Sequence, residues 1–216
     1  MRGRVVLGVV VLLALIVVVV VGVRLVGGSD HRSSAAGNGF VEPATPSATT
    51  DSGGGPGQCP DQVPHAFAPA SITVTGVAKD VHVIAPPRDS HNVPGIPPLT
   101  ETGKHVFAYD RAQHVQPGAA RGNVLLNAHT WPDGTALGNA LLTGLHDNGR
   151  IVVHGQGAQR LCYRVTKRVE VLATAHVPEY YSRTGTPQLA IIVCSGRRLG
   201  PGQWEKRTIW YASPSS

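Results

Sequence analysis

From about Asp61 to Ser216 the chain is a succession of short apolar, β-branched runs, each closed within a few residues by Gly, Pro or an Asp-containing turn. That punctuation leaves little room for long helices and favours many short strands. The runs read as strands over Ser71–Thr75, Val81–Ile84, His105–Ala108, Asn123–Ala128, Arg150–His154, Leu161–Val165, Arg168–Leu172, Gln188–Val193 and Arg207–Ala212. One segment, Ala136–Leu145, has helical spacing instead, with Leu137, Leu141, Leu142 and Leu145 on one stripe. The expectation is an all-β fold with short helices, a closed or nearly closed β-barrel rather than a parallel α/β sheet. No internal repeat and no Gly-rich phosphate loop interrupts the pattern. Residues 61–216 are enough for one domain with its own core.

The part before this domain has a different character. Val5 to Val23 carries no polar side chain, and these 19 residues match the length of a helix crossing about 30 Å of hydrocarbon. A core helix would alternate faces, and a signal peptide's apolar region is usually shorter, about 7–15 residues. Residues 1–26 are therefore expected to form a cytoplasmic start and a single transmembrane helix. The small residues at Ser34-Ala35-Ala36 leave cleavage as the alternative. Arg2 and Arg4 precede the span and Arg24 alone follows it closely, which favours a cytoplasmic N-terminus and an extracellular domain. Residues 27–60, rich in Gly, Ser, Ala, Thr and Pro, have too little apolar surface to offset ordering and read as a flexible linker.

The chain has a net charge of +6, but its basic residues are scattered and aromatics make up only 5 %. A nucleic-acid surface would need basic clusters interleaved with aromatics, so that class is set aside. Three cysteines are present, Cys59, Cys162 and Cys194. An odd number in an exported chain leaves at least one thiol unpaired within it. Their spacing is not that of a zinc site, so no metal is expected.

Three of the runs end on chemistry. His129 closes Asn123-Val-Leu-Leu-Asn-Ala-His129, Cys194 closes Leu189-Ala-Ile-Ile-Val-Cys194, and Arg207 opens Arg207-Thr-Ile-Trp-Tyr-Ala212. Taken singly, each has a plain alternative: a buried apolar cysteine, a turn histidine before Trp131-Pro-Asp-Gly134, a solvated strand-end arginine. Taken together they supply acyl transfer. A thiol can attack a carbonyl, an imidazole can move the proton, and a guanidinium can lower the thiol pKa and bind the oxyanion. The loop-like Ser195-Gly-Arg-Arg-Leu-Gly-Pro-Gly202 places Cys194 at a strand's mouth.

The order and local sequence of these residues resemble the sortases, membrane-anchored cysteine transpeptidases of Gram-positive bacteria. Asn127-Ala-His-Thr130 resembles that family's strand-end histidine segment, and Gly202-Gln-Trp-Glu-Lys-Arg-Thr-Ile209 resembles the segment around its arginine. The likeness spans about residues 65–213 and is similar to the actinobacterial-type class E/F members. It implies a sortase-type eight-stranded β-barrel, with His129, Cys194 and Arg207 as catalytic residues at one end of a groove and no cofactor. It further implies cleavage of a Leu-Pro-x-Thr-Gly-like sorting signal between Thr and Gly through a thioacyl enzyme. The acyl group would then pass to a peptidoglycan precursor or another amine, anchoring surface proteins to the cell wall. Ala173–Pro187 corresponds by position to the family's substrate-contacting loop. No pilin-type lid segment stands ahead of the barrel, which leans toward anchoring over pilus polymerisation. No acidic cluster suggests the calcium site of some members.

The sequence also departs from the family. The usual Thr-Leu-x-Thr-Cys ending is Ala190-Ile-Ile-Val-Cys194 here, without either threonine, and Ala128 stands for a common glycine. Val193 keeps the β-branched shape without a hydroxyl to donate. A catalytically impaired binding module on the same barrel is therefore the alternative function. A peptidoglycan cross-linking cysteine transpeptidase fits less well, because no histidine lies shortly before Cys194. Cys162 reads either as core packing or as the partner of Cys59 in a disulfide, which an oxidising envelope permits.

Overall fold

The computed structural model describes residues 59–216; the expected transmembrane helix and nearly all of the linker lie outside the described residues. No helix among the described residues is long and apolar enough to cross a membrane. Eight strands are formed: β1 Ser71–Val74, β2 Ala78–Ile84, β3 Phe107–Tyr109, β4 Asn123–Ala128, β5 Arg150–His154, β6 Arg160–Leu172, β7 Gln188–Gly200 and β8 Gln203–Pro214. They close a barrel in the order β1-β2-β3-β4-β7-β8-β6-β5. β2 pairs parallel with β3, and β4 parallel with β7. The remaining ladders are antiparallel. Among the described residues one α-helix, α1 Leu137–Gly144, follows β4 and turns Leu137, Leu141 and the capping Leu145 into the core. Two short 3-10 turns, Thr102–His105 and Arg111–Gln113, flank β3.

The barrel corrects the sequence reading in three places. Leu161–Val165 and Arg168–Leu172 are one strand, β6, carried across Thr166 by a bulge between Val165 and Lys167. The exposed Arg168 and Glu170 made its second half look separate, whereas they are the solvent side of a continuous ladder. β7 does not end at Val193 but runs on to Gly200, so Cys194 lies within a strand and Ser195–Gly200 is half of a bulged hairpin. β8 correspondingly begins at Gln203, four residues before Arg207, and the turn between the strands is Pro201-Gly202.

Cys59 and Cys162 form a disulfide, with Cα atoms 5.7 Å apart. Beside it the Cys162 N–H donates to the Pro60 carbonyl at 2.8 Å, and the Ser215 N–H donates to the Cys162 carbonyl at 2.9 Å. Cys59 and Pro60, assigned by composition to the linker, are thus fastened to β6.

The core is split by the sheet into two layers. Val124, Leu126 and Ala128 of β4, Leu189, Ile191 and Val193 of β7, and Trp210 and Ala212 of β8 fill the barrel interior. Their neighbours Leu125, Ala190, Ile209 and Tyr211 point the other way and pack with Tyr180 and Val177 of the 173–187 loop. Both faces of these strands are covered, which is why β4 and β7 read as unbroken apolar runs rather than alternating ones.

Candidate active site

Successive side chains of a strand alternate between faces, so every second residue shares a side. On the loop-covered side, β4 presents Leu125, Asn127 and then His129; β7 presents Ala190, Ile192 and Cys194; β8, running the opposite way, presents Tyr211, Ile209 and Arg207. The ladder registers hold these rows level. Leu125 pairs with Ala190 and Asn127 with Ile192, and the next step of that register sets His129 beside Cys194. Ala190 pairs with Tyr211, Ile192 with Ile209 and Cys194 with Arg207. The three residues expected from the sequence are thus the ends of three adjacent rows. Val171 of β6, paired with Arg207, closes the far side of that last row.

The loop cover stops short of the row ends. There His129, Cys194 and Arg207, each partly exposed, line one groove of about 550 Å³. Its walls are mostly apolar and come from loops: Ile96 and Leu99 from the β2–β3 connection, Tyr181 from the 173–187 loop, and Pro201 and Trp204 from the β7–β8 hairpin. The 173–187 loop does reach the groove, as its position implied.

Cys194 is the free cysteine among the described residues. Burial pushes its thiol above the ordinary range, and the positive charge of Arg207 works in the opposite direction. The Cys194 backbone is held by Thr130, whose hydroxyl donates to the Cys194 carbonyl at 2.6 Å. The Arg207 guanidinium also donates to the Lys206 carbonyl, at 3.1 Å.

His129 Nε2 lies 2.7 Å from the Pro97 carbonyl. A carbonyl only accepts, so Nε2 carries a proton and Nδ1 is the ring position left to take one. Asn127 Nδ2 donates to the Gly95 carbonyl at 2.9 Å. Residues 93–99 therefore lie as a strap along the β4 row, anchored at two steps of it. Helix α1 fixes the other side of the histidine. The Gly138 N–H donates to the His129 carbonyl at 2.7 Å, and a Cβ on Gly138 would stand 2.4 Å from that oxygen. Asn139 brackets Trp131, accepting from its N–H at 2.9 Å and donating to its carbonyl at 3.1 Å. Lys104, only 5 % exposed, bonds Asp133 at 2.9 Å and sits 4.3 Å from the centre of the Trp131 ring. Asp133, which also accepts from Thr135, is held down at about 2 by those Thr135 and Lys104 hydrogen bonds.

Sequence reasoning missed the strap, Thr130, Gly138, Asn139 and Lys104. The Pro-rich composition of 94–98 was the available signal for the strap: a segment that cannot join a ladder is free to cover one. The missing threonines are also placed. Val193 is buried among the interior residues, on the face opposite Cys194, and Ala190 lies under the 173–187 loop. Among the described residues no group of His, Cys, Asp and Glu is arranged to hold a metal ion.

No protein-family profile matches the chain, and no curated protein matches it in sequence. Solved structures match it in fold. Sortase C1 from Streptococcus suis is similar at 14 % identity and a TM-score of 0.51, over 70 % of this chain and 74 % of that one. Sortase A from Corynebacterium diphtheriae is similar at 16 % identity and a TM-score of 0.51, over 70 % of this chain and 62 % of that one. The eight-stranded barrel is a sortase fold; at these identities the likeness speaks to the fold alone.

Proposed function

We propose that this sortase-fold domain is a cysteine transpeptidase that cleaves a Leu-Pro-x-Thr-Gly-like sorting signal and passes the acyl group to an amine. The observation that carries the reading is the level alignment of His129, Cys194 and Arg207 at the open ends of three rows. A fold alone hosts many functions; a thiol, a proton carrier and a fixed cation meeting in one apolar groove is the chemistry that acyl transfer needs.

In this reading the Cys194 sulfur attacks the threonine carbonyl as its proton passes to His129 Nδ1. Arg207 balances the charge that develops on the carbonyl oxygen. Collapse of the tetrahedral intermediate breaks the Thr–Gly bond, and His129 returns the proton to the departing glycine amine. An incoming amine then gives its proton to His129 and displaces Cys194 from the thioester. The apolar segment Val5–Val23 and its flanking charges extend the proposal to a single-pass, extracellular enzyme, and the family resemblance extends it to a Gram-positive cell wall, a class E/F-like type, surface proteins and a peptidoglycan precursor.

One observation favours the alternative of a catalytically impaired binding module: Cys194 is partly buried within β7, and burial disfavours its thiolate against the pull of Arg207. Full-length protein offered quenched Leu-Pro-x-Thr-Gly peptides, with and without an amine acceptor, decides between them. Thr–Gly cleavage that disappears in Cys194→Ala supports the transpeptidase. Peptide binding without cleavage, together with a thiol inert to iodoacetamide up to pH 10, supports the binding module.

A further inference from the structure

The groove has one sign of charge. Among the described residues no Asp or Glu lines it, while Arg198 and Arg207 do. Arg207 is spoken for, facing the thiol across the ladder. Arg198 is not: it is exposed and has no ion-pair partner among the described residues. Two acids of the adjoining strands are engaged elsewhere. Glu205 accepts from the Arg197 backbone N–H at 3.2 Å, and Glu170 pairs with Arg168 and Lys206.

The backbone brings Arg198 to this position by an irregularity. β7 and β8 fall out of step between Ser195 and Arg198 and again between Arg198 and Gly200. The first bulge turns at Gly196, whose φ of +74° is one that other residues rarely adopt. Bulges re-aim side chains and increase local twist. Here they fold the hairpin tip over the row ends, so that Arg198, Pro201 and Trp204 face the same groove as Cys194.

We propose that Arg198 is a specificity-determining residue that selects sorting signals carrying a carboxylate at the variable position, next to the scissile threonine. The inference rests on the transpeptidase reading and deepens it. An extended peptide whose threonine carbonyl lies at Cys194 and Arg207 sends its apolar Leu-Pro end along the strap, where Ile96 and Leu99 stand open. The hairpin tip is left for the residue beside the threonine, and its free charge is a guanidinium. An acid there gains an attractive partner. A lysine gains a repulsive one, and with no acid in the wall it has no compensation.

The test uses the full chain and three peptides, Leu-Pro-Glu-Thr-Gly, Leu-Pro-Gln-Thr-Gly and Leu-Pro-Lys-Thr-Gly. Binding is read by fluorescence anisotropy on Cys194→Ala, and kcat/KM is read on the unaltered enzyme. The Glu peptide is expected to exceed the Gln peptide by about three- to fivefold, the scale of a solvent-accessible ion pair. The Lys peptide is expected to fall below both, and the differences should shrink in about 0.5 M salt. Arg198→Gln should bring the Glu and Gln peptides together, whereas Arg197→Gln should leave their ratio unchanged. Equal Glu and Gln peptides, or a gap that survives Arg198→Gln, overturns the proposal. So does a preference that follows a carboxylate on the amine acceptor instead of the signal. Cleavage without charge preference sinks this inference and keeps the transpeptidase; charge-dependent binding without cleavage does the reverse.

Discussion

The two faces of β4, β7 and β8 are built from the same kinds of residue and end differently. The inner row of β7, Leu189, Ile191 and Val193, is buried in the barrel interior. The outer row begins just as apolar, with Ala190 under Tyr180, but its cover is a loop, and the loop runs out before Cys194. A barrel wall cannot stop part-way along a strand, whereas a loop can. The site therefore sits on the face whose cover is optional, and the face that cannot be uncovered carries the stability.

This contrast can be broken by moving a change from one face to the other. The largest effect is expected on the outer side: Cys194→Ala should lower turnover of a sorting peptide by about 10³-fold or more while the urea midpoint stays nearly where it was. A parallel fall in stability would mean that the outer row is structural after all. On the inner side, Trp210 is fully buried and its Nε1 donates to the Leu145 carbonyl at 2.9 Å. Trp210→Ala should cost about 3–5 kcal/mol in urea unfolding. The disulfide, 103 residues apart in sequence, should contribute about 2–4 kcal/mol, measured as the loss in a Cys59→Ala/Cys162→Ala double variant.

Gly138 lies between the two behaviours. Adding a methyl group there must displace the His129 carbonyl, so Gly138→Ala should cost about 1–3 kcal/mol and also depress kcat, because the shifted backbone carries the imidazole. A stability loss with kcat intact would show that the histidine's placement tolerates movement of the helix. The smallest change is in the titration of Cys194. Burial favours its neutral form, so the rate of iodoacetamide alkylation should rise with pH to a midpoint above the ordinary thiol range. Arg207→Gln removes the charge that favours the thiolate and should move that midpoint further up.

The strand positions were legible wherever the ladder agreed with local composition. Asn123–Ala128 and Arg150–His154 are β4 and β5 to the residue, because both faces or alternate faces are apolar and Gly or Asn closes them. Legibility failed where glycine meant a bulge instead of a turn. Ser195-Gly-Arg-Arg-Leu-Gly200 looks like a loop by composition, yet it is strand, with Gly196 absorbing the extra residue. That error also concealed Arg198. The meeting of His129, Cys194 and Arg207 came from resemblance to a family; the alternation that levels them cannot be read where both faces are apolar. The strap was missed for a different reason. Its contacts are to backbone carbonyls of Gly95 and Pro97, and any sequence supplies those.

Closure of the barrel gives the site an integer character. Strands in a closed ladder can shift only by whole residues, and a shift of one would exchange every outer side chain for an inner one. The alignment of His129, Cys194 and Arg207 is thus either correct or lost together with the core, with no gradual states between. The strap and the hairpin tip are under no such constraint. Insertions, deletions and substitutions there can reshape what enters the groove while the arithmetic of the register stays untouched. Recognition on this scaffold is free to drift in small steps, and the trio beneath it is not.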